Sequence, residues 1–447
     1  MLREYTRVDL VGRRATERMS RMLTSRRNFL LSSALGLGTI VLAPAVRAWG
    51  DPLPGPTPVA RVSGADGVLD ATLAALPPFV QGTALRSVTV IPGRYLRRSR
   101  ILVPPGVQLI ATGCTFILQS TGKEDSLLEI RDTRDIMIEG GIWDGNKAIV
   151  KAKTEFRHTI RVVNSDRISL KNLVAQNAKG DGIYIGSQLN PCRDVVLEGV
   201  RCTKNHRDGL SVTACDGLRV IRSRFHANGG TAPMSGAVIE PNAEAAVVDN
   251  ILFDECSFDN NLDRGFLVKM RVGAPTPVTG IELRNCDFVR NGRTGKNGTL
   301  SGGLVLLRPR LVKVTKGSWI SGNQVGVFVQ GTRPGDKAPA PDGLVVIDAT
   351  TIDSNLKDGI FISNRIGHLE VNASKINSNS RKKKSRYNGI RIQQGYDVKI
   401  TDSQLRKHGG YGVRADKKVR GVVITRSVLT GNKKGAIYKK GASVTVR

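Results

Sequence analysis

Along most of the chain the apolar residues come in short alternating runs separated by turn residues, the period of strands buried on one face. The cleanest unit is Asn205-His206-Arg207-Asp208-Gly209-Leu210-Ser211-Val212 followed by Leu218-Arg219-Val220-Ile221-Arg222-Ser223-Arg224-Phe225. It reads as turn, strand, strand, turn, and it returns. Taking the Gly that opens each alternating tetrapeptide as the marker gives Gly182, Gly209, Gly236, Gly265, Gly303, Gly326, Gly359, Gly389, Gly412 and Gly435. Gly389, Gly412 and Gly435 are 23 residues apart, and wider spacings place the excess in inserted loops, as in a solenoid. The predicted loops are Gly273 to Pro277, Arg293 to Ser301, Gly331 to Pro341 and Arg381 to Tyr387.

Period two sends Ile183, Ile185, Leu210, Val212, Ala237, Ile239, Phe266 and Val268 into the core. Residues one before, two after and four after each Gly then face outward. Asn205, Asn261, Asn355 and His408 lie four before their Gly, with Asn323 and Asn432 at three. That placement predicts a ladder of side-chain amides in a tight turn. Cys256 and Cys286 share a slot with Ser223, which points to small buried side chains in a stack rather than to metal ligands.

Ahead of the repeats, Asp70 to Phe79 is apolar-periodic and is stopped by Pro77 and Pro78. It predicts a short helix capping the open end of the stack. Residues 1 to 48 resemble a twin-arginine export signal: Ser25-Arg26-Arg27-Asn28-Phe29-Leu30, an apolar run from Leu31 to Val46, and small-residue cleavage at Val46-Arg47-Ala48. The apolar run is too short and too rich in Gly and Ala for a membrane span. The predicted organisation is a signal at 1–48 engaging the twin-arginine machinery, a Pro/Gly linker at 49–63 and one solenoid at 64–447.

Charge narrows the partner. The chain carries +30, and removing the nine Arg and three acids of residues 1–48 leaves 59 minus 35, or +24. A surplus of that size attracts polyanions: an acidic polysaccharide, nucleic acid or an anionic membrane surface. Nucleic acid ranks below sugar here, because the sequence shows no aromatic-interleaved basic strip.

Ser87-Val88-Thr89-Val90-Ile91-Pro92-Gly93-Arg94-Tyr95 and Ile101-Leu102-Val103-Pro104-Pro105-Gly106-Val107-Gln108-Leu109-Ile110, after a capping helix, resemble the opening of pectin-lyase-like proteins. The resemblance implies an all-β, single-stranded right-handed parallel β-helix with an N-terminal helical cap. It further implies a protein that acts on carbohydrate, while the export signal implies a periplasmic or secreted location, and a monomer is expected.

Coils of such a stack lie about 4.8 Å apart, so residues at one offset in successive coils are neighbours. Asp181 and Asp208 precede consecutive marker glycines, and two adjacent carboxylates raise one another's proton affinity, as a general acid requires. His206, Arg207, Arg264 and Lys269 face this pair, and Tyr184 stands two after Gly182. Glu240, fixed before Pro241, forms an alternative acid/base set with His206 and His226.

Gly180-Asp181-Gly182-Ile183-Tyr184-Ile185 and Ile142-Trp143-Asp144-Gly145-Asn146 are similar to polygalacturonase motifs, and Arg207-Asp208 keeps the second acid of that family's double Asp. Ser235 stands where those enzymes have His, and Gly265-Phe266-Leu267-Val268-Lys269 keeps the Lys but has Leu for the Arg. Arg308-Pro309-Arg310 supplies arginines of the kind a uronate lyase uses, while an epimerase's Asp-Pro-His is missing.

The sequence thus predicts a glycoside hydrolase or polysaccharide lyase acting on an acidic, uronate-containing polysaccharide along the coils from Gly182 to Gly303. Asp181, Asp208, Glu240 and His206 would be catalytic, and Arg207, Tyr184, Arg264, Lys269 and Arg308 would bind substrate. No cofactor is required, although calcium is compatible with the reading. The other class that fits is a non-catalytic polysaccharide-binding or cell-envelope β-helix.

Overall fold

Each coil of the chain adds one strand to each of three sheets, as Ile183–Ile185, Cys192–Glu198 and Arg201–Thr203 do in a single turn. The computed structural model describes residues 55–447 apart from 123–125, 152–153, 188–189, 244, 272–278, 293–300, 332–342, 365, 382–385 and 396. The export-signal segment lies outside the described residues, as do the four expected inserted loops in most of their length. All pairing is parallel, in sheets of 15, 13 and 12 strands running the length of the stack. The architecture is a right-handed parallel β-helix.

The period-two expectation holds inside the strands. Ile183, Leu210, Ala237 and Phe266 stack in register and are buried, as are Ile185, Val212, Ile239 and Val268. Phe225, Phe258 and Phe288 form a continuous stack with centroids 5.3 and 5.0 Å apart. Full burial of each such ring contributes about 2–3 kcal/mol.

Turns between strands have no alternation to hold them, and side-chain ladders do so instead. The predicted Asn205, Asn261, Asn323 and Asn355 form a ladder together with Asn228, Asn291 and Asn379, which the spacing had not marked. Each amide accepts the previous residue's backbone and side-chain N–H groups and donates to a carbonyl of the preceding coil, as Asn261 Nδ2 does to Phe225 O at 3.1 Å. His408 and Asn432 continue it. The marker glycines run alongside: a Cβ on Gly209 would lie 2.4 Å from Gly236 O and 2.9 Å from Asn228 Nδ2. Glycine is needed there for close approach rather than for backbone angle.

Ser223, Cys256, Cys286, Ser318, Thr350, Ser374 and Ser403 occupy a further column of small buried side chains. The hydroxyls accept the neighbouring coil's N–H, as Ser318 Oγ does from Cys286 at 3.0 Å. All six cysteines are free and buried, and burial pushes the Cys202, Cys215 and Cys286 thiols up.

At the N-terminal end, Thr57–Val62, which the sequence reading placed in a linker, is a strand pairing with Arg86–Val90. The cap follows as helix α1 (Val68–Ala74), with Leu69 and Leu73 buried. It ends earlier than the predicted Phe79 because Pro77 can neither continue the hydrogen-bond ladder nor let its predecessor stay helical. Arg97, fully buried, clasps the cap: Nη2 donates to Asp70 at 2.7 Å and Nε pairs with Asp66 at 3.0 Å.

Candidate functional site

The residue two after each marker Gly from Gly182 to Gly412 belongs to one outward column of the 13-stranded sheet, which Glu129 and Arg161 begin and Tyr438, three after Gly435, ends. It reads Glu129, Arg161, Tyr184, Ser211, Val238, Leu267, Val305, Phe328, Phe361, Arg391, Arg414, Tyr438. Its first part is polar, its middle apolar and buried as a cluster of its own, and its end cationic. A cleft of about 420 Å³ opens over the polar part, lined among others by Arg131, Arg161, Tyr184, Arg207 and Glu240. It therefore lies nearer the N-terminus than the predicted span, because Val238 and Leu267 close the outer face beyond it.

Tyr184 is the floor. Its ring stacks on His158 at 4.8 Å and 20°, Arg161 lies 5.9 Å from its centroid, and its hydroxyl meets Thr213 Oγ1 at 2.8 Å. Gly186, at φ 142°, leaves the room: a Cβ there would sit 2.2 Å from Thr213 Oγ1.

Arg207 is the hub of the charges. Nη1 donates to Asp181 at 3.1 Å, while Nε lies 3.5 Å from Glu155 and 3.8 Å from Asp208. Burial opposes its charge, but Asp181, Asp208, Glu155 and Glu240 outweigh that and raise its pKa. Glu129, beneath Arg131, is nearly fully buried; burial pushes its carboxyl up, yet Arg100 and Arg131 bring it below the ordinary range.

Asp181 and Asp208 were expected on the outward surface, and both are fully buried. They precede strands Ile183–Ile185 and Leu210–Val212, in the turn where period two does not apply, and their side chains run along the stack. Asp181 Oδ1 accepts the Asp208 N–H at 3.1 Å and Asp208 Oδ1 accepts the Ser235 N–H at 2.7 Å. His158 Nδ1 does the same for Asp181, and Asp358 for Asn388. The pair does split its proton affinities. Burial pushes Asp181 up, but Arg207 and His158 hold it below the usual range, whereas burial and then the Asp181 charge raise Asp208 well above it.

Tyr184, Arg207 and Glu240 of the predicted set line the cleft. Glu240 pairs with Lys269, which is thereby brought to the same place. Arg264 donates to Pro233 O at 2.9 Å and pairs with Asp263 at 3.0 Å, and Arg308 donates to Met270 O at 2.8 Å, so both are engaged away from the cleft. His206 does not line the cleft, and burial and then Lys179 and Lys147 lower its pKa.

The structure adds His158, Arg161, Glu155 and Arg131. His158 has the same offset from Ile160 as Asp181 from Ile183, but Thr159 replaces the marker Gly, which hides that coil from the pattern. Among the described residues, no group of three or more His, Cys, Asp or Glu is placed to hold a metal ion. Nor is any described helix long and apolar enough to cross a membrane.

The fold class sets the comparison. A family model described as the right-handed beta helix region matches residues 158–335. The sequence matches no curated protein. Among solved structures, the N-terminal fragment of bacteriophage phi29 gene product 12 aligns with TM-score 0.51 and 15% identity, over 79% of this chain and 67% of that one. The A-module of the Azotobacter vinelandii mannuronan C-5 epimerase AlgE6 aligns with TM-score 0.47 and 11% identity, over 85% and 93%. A third, the Dettilon tailspike protein, has TM-score 0.49 at 9% identity, over 79% and 62%. At these identities the likeness is one of fold.

Proposed function

We propose that the protein is a carbohydrate-active enzyme that binds an acidic, uronate-containing polysaccharide in the cleft and cleaves it. The observation that carries this reading is the gathering of Arg161, Arg207 and Tyr184 with the carboxylate of Glu240 around one cleft. Tyr184, held in plane by His158, offers a flat face to a sugar ring. Arg161 and Arg207 neutralise uronate carboxylates, and their planar forks suit that geometry.

Glu240, tethered by Lys269, moves the proton at the glycosidic oxygen, and Glu155 is the second carboxylate at hand. Asp181 and Asp208 act through Arg207 rather than by touching substrate. The N-terminal segment would deliver the folded monomer to the periplasm or the exterior by the twin-arginine route.

Incubation with polygalacturonate and with alginate tests this. Unsaturated ends identify elimination, and new reducing ends without them identify hydrolysis. Glu240→Gln should lower turnover by about a hundredfold or more, the usual range for a lost acid/base group, with KM little changed. Retention on the polymer with neither product would sink the enzyme reading. A binding protein without catalysis is the second reading, favoured by the engagement of both buried aspartates in backbone hydrogen bonds.

A further inference from the structure

Register brings together, at the C-terminal end of the sheet, residues that are far apart in sequence. Phe361 pairs with Arg391, Arg391 with Arg414, and Arg414 with Tyr438. The Arg391 guanidinium lies 4.8 Å from the Phe361 centroid, and that of Arg414 lies 5.3 Å from Tyr438, whose ring is 5.2 Å from Tyr411. Like charges directly opposite on neighbouring strands destabilise a sheet. Asp416 offsets one of them, 3.1 Å from Arg414 and 3.9 Å from Arg391. Arg391 Nε is buried with no hydrogen-bond partner, and Lys418 is exposed one coil above Gln394. Stacked guanidiniums keep their N–H edges free for a bidentate carboxylate.

We propose that this strip is a second binding site, separate from the cleft, which takes carboxylate-bearing sugar units of a polyanionic polysaccharide. Each carboxylate meets an arginine, and Tyr411 and Tyr438 supply the stacking surface. The buried apolar column from Val238 to Phe361 separates it from the cleft, so a chain must be long to occupy both. The choice of sugar rests on the reading of the cleft, whereas the site itself rests on the arginine register.

The test is equilibrium binding of the full-length protein to long-chain polygalacturonate and to a short oligogalacturonate, across a salt series. Arg391→Gln with Arg414→Gln should weaken polymer binding about tenfold and flatten its salt dependence, as loss of two charge-assisted contacts does. Turnover of the short oligogalacturonate, which depends on the cleft alone, should not change. The double Lys variant should keep the salt dependence while losing part of the affinity. Unchanged polymer affinity in a correctly folded Gln variant overturns the proposal, and single-stranded DNA binding more tightly than polymer through the same arginines overturns the polysaccharide as occupant. Absence of cleavage products, with polymer binding still lost in the Gln variant, refutes the cleft chemistry and supports this site.

Discussion

Asp208 is a carboxyl group in a position that needs only an acceptor. One oxygen takes the Ser235 amide, while the other is buried without a hydrogen-bond partner, 3.8 Å from Arg207. Its folded pKa is raised, so the stability it contributes is present below the unfolded carboxylate pKa of about 4 and is lost as pH rises through the folded value. Asp208→Asn keeps the acceptor and removes the charge. It should leave thermal stability near pH 4 unchanged and raise it by roughly 1 kcal/mol at neutral pH. A fall in turnover on that variant without a change in fold would show that the Asp208 charge serves the reaction through Arg207, and unchanged turnover would leave it a turn residue alone.

The asparagine ladder behaves as an element in its own right, and His408 is its irregular rung. Nδ1 of His408 accepts the Asn379 N–H at 3.2 Å, Nε2 is buried without a partner, and burial lowers its pKa to about 4. Stability is therefore full above pH about 6.5 and falls as the unfolded chain alone takes up a proton. It levels off once the folded form is protonated too, after a loss of roughly 3 kcal/mol. His408→Asn restores the regular rung. Urea unfolding between about pH 7 and pH 4 should show that slope reduced.

For the molecule as a whole, the cap decides whether the first coils present an open edge. Arg97→Ala leaves Asp66 and Asp70 without their buried partner and releases α1 from the core end. Both acids are about a third exposed, so a cost of about 1–2 kcal/mol is expected for the lost pairing. Light scattering should then detect end-to-end association through the exposed first strands. A variant with unchanged light scattering and equal stability would show that the cap is dispensable.

How far the sequence revealed this follows from where its pattern is local. Alternation placed Ile183, Leu210 and Phe266 in the core, and the recurring Gly located most coils. Asn228, Asn291 and Asn379 escaped because loops of varying length separate them from their glycines. The burial of Asp181 and Asp208 depends on turns, where no period applies. Arg161 with Tyr184, and Arg391 with Arg414, become neighbours only once register is fixed, so neither the cleft floor nor the cationic strip showed in the linear order.

The ladder of Asn205, Asn228 and Asn261 also bears on how such a chain changes over generations. Every rung hands its amide to the next in one direction, so a coil duplicated or deleted between two rungs leaves no donor stranded at the join. Length is then a trait that a single recombination event can alter by one rung.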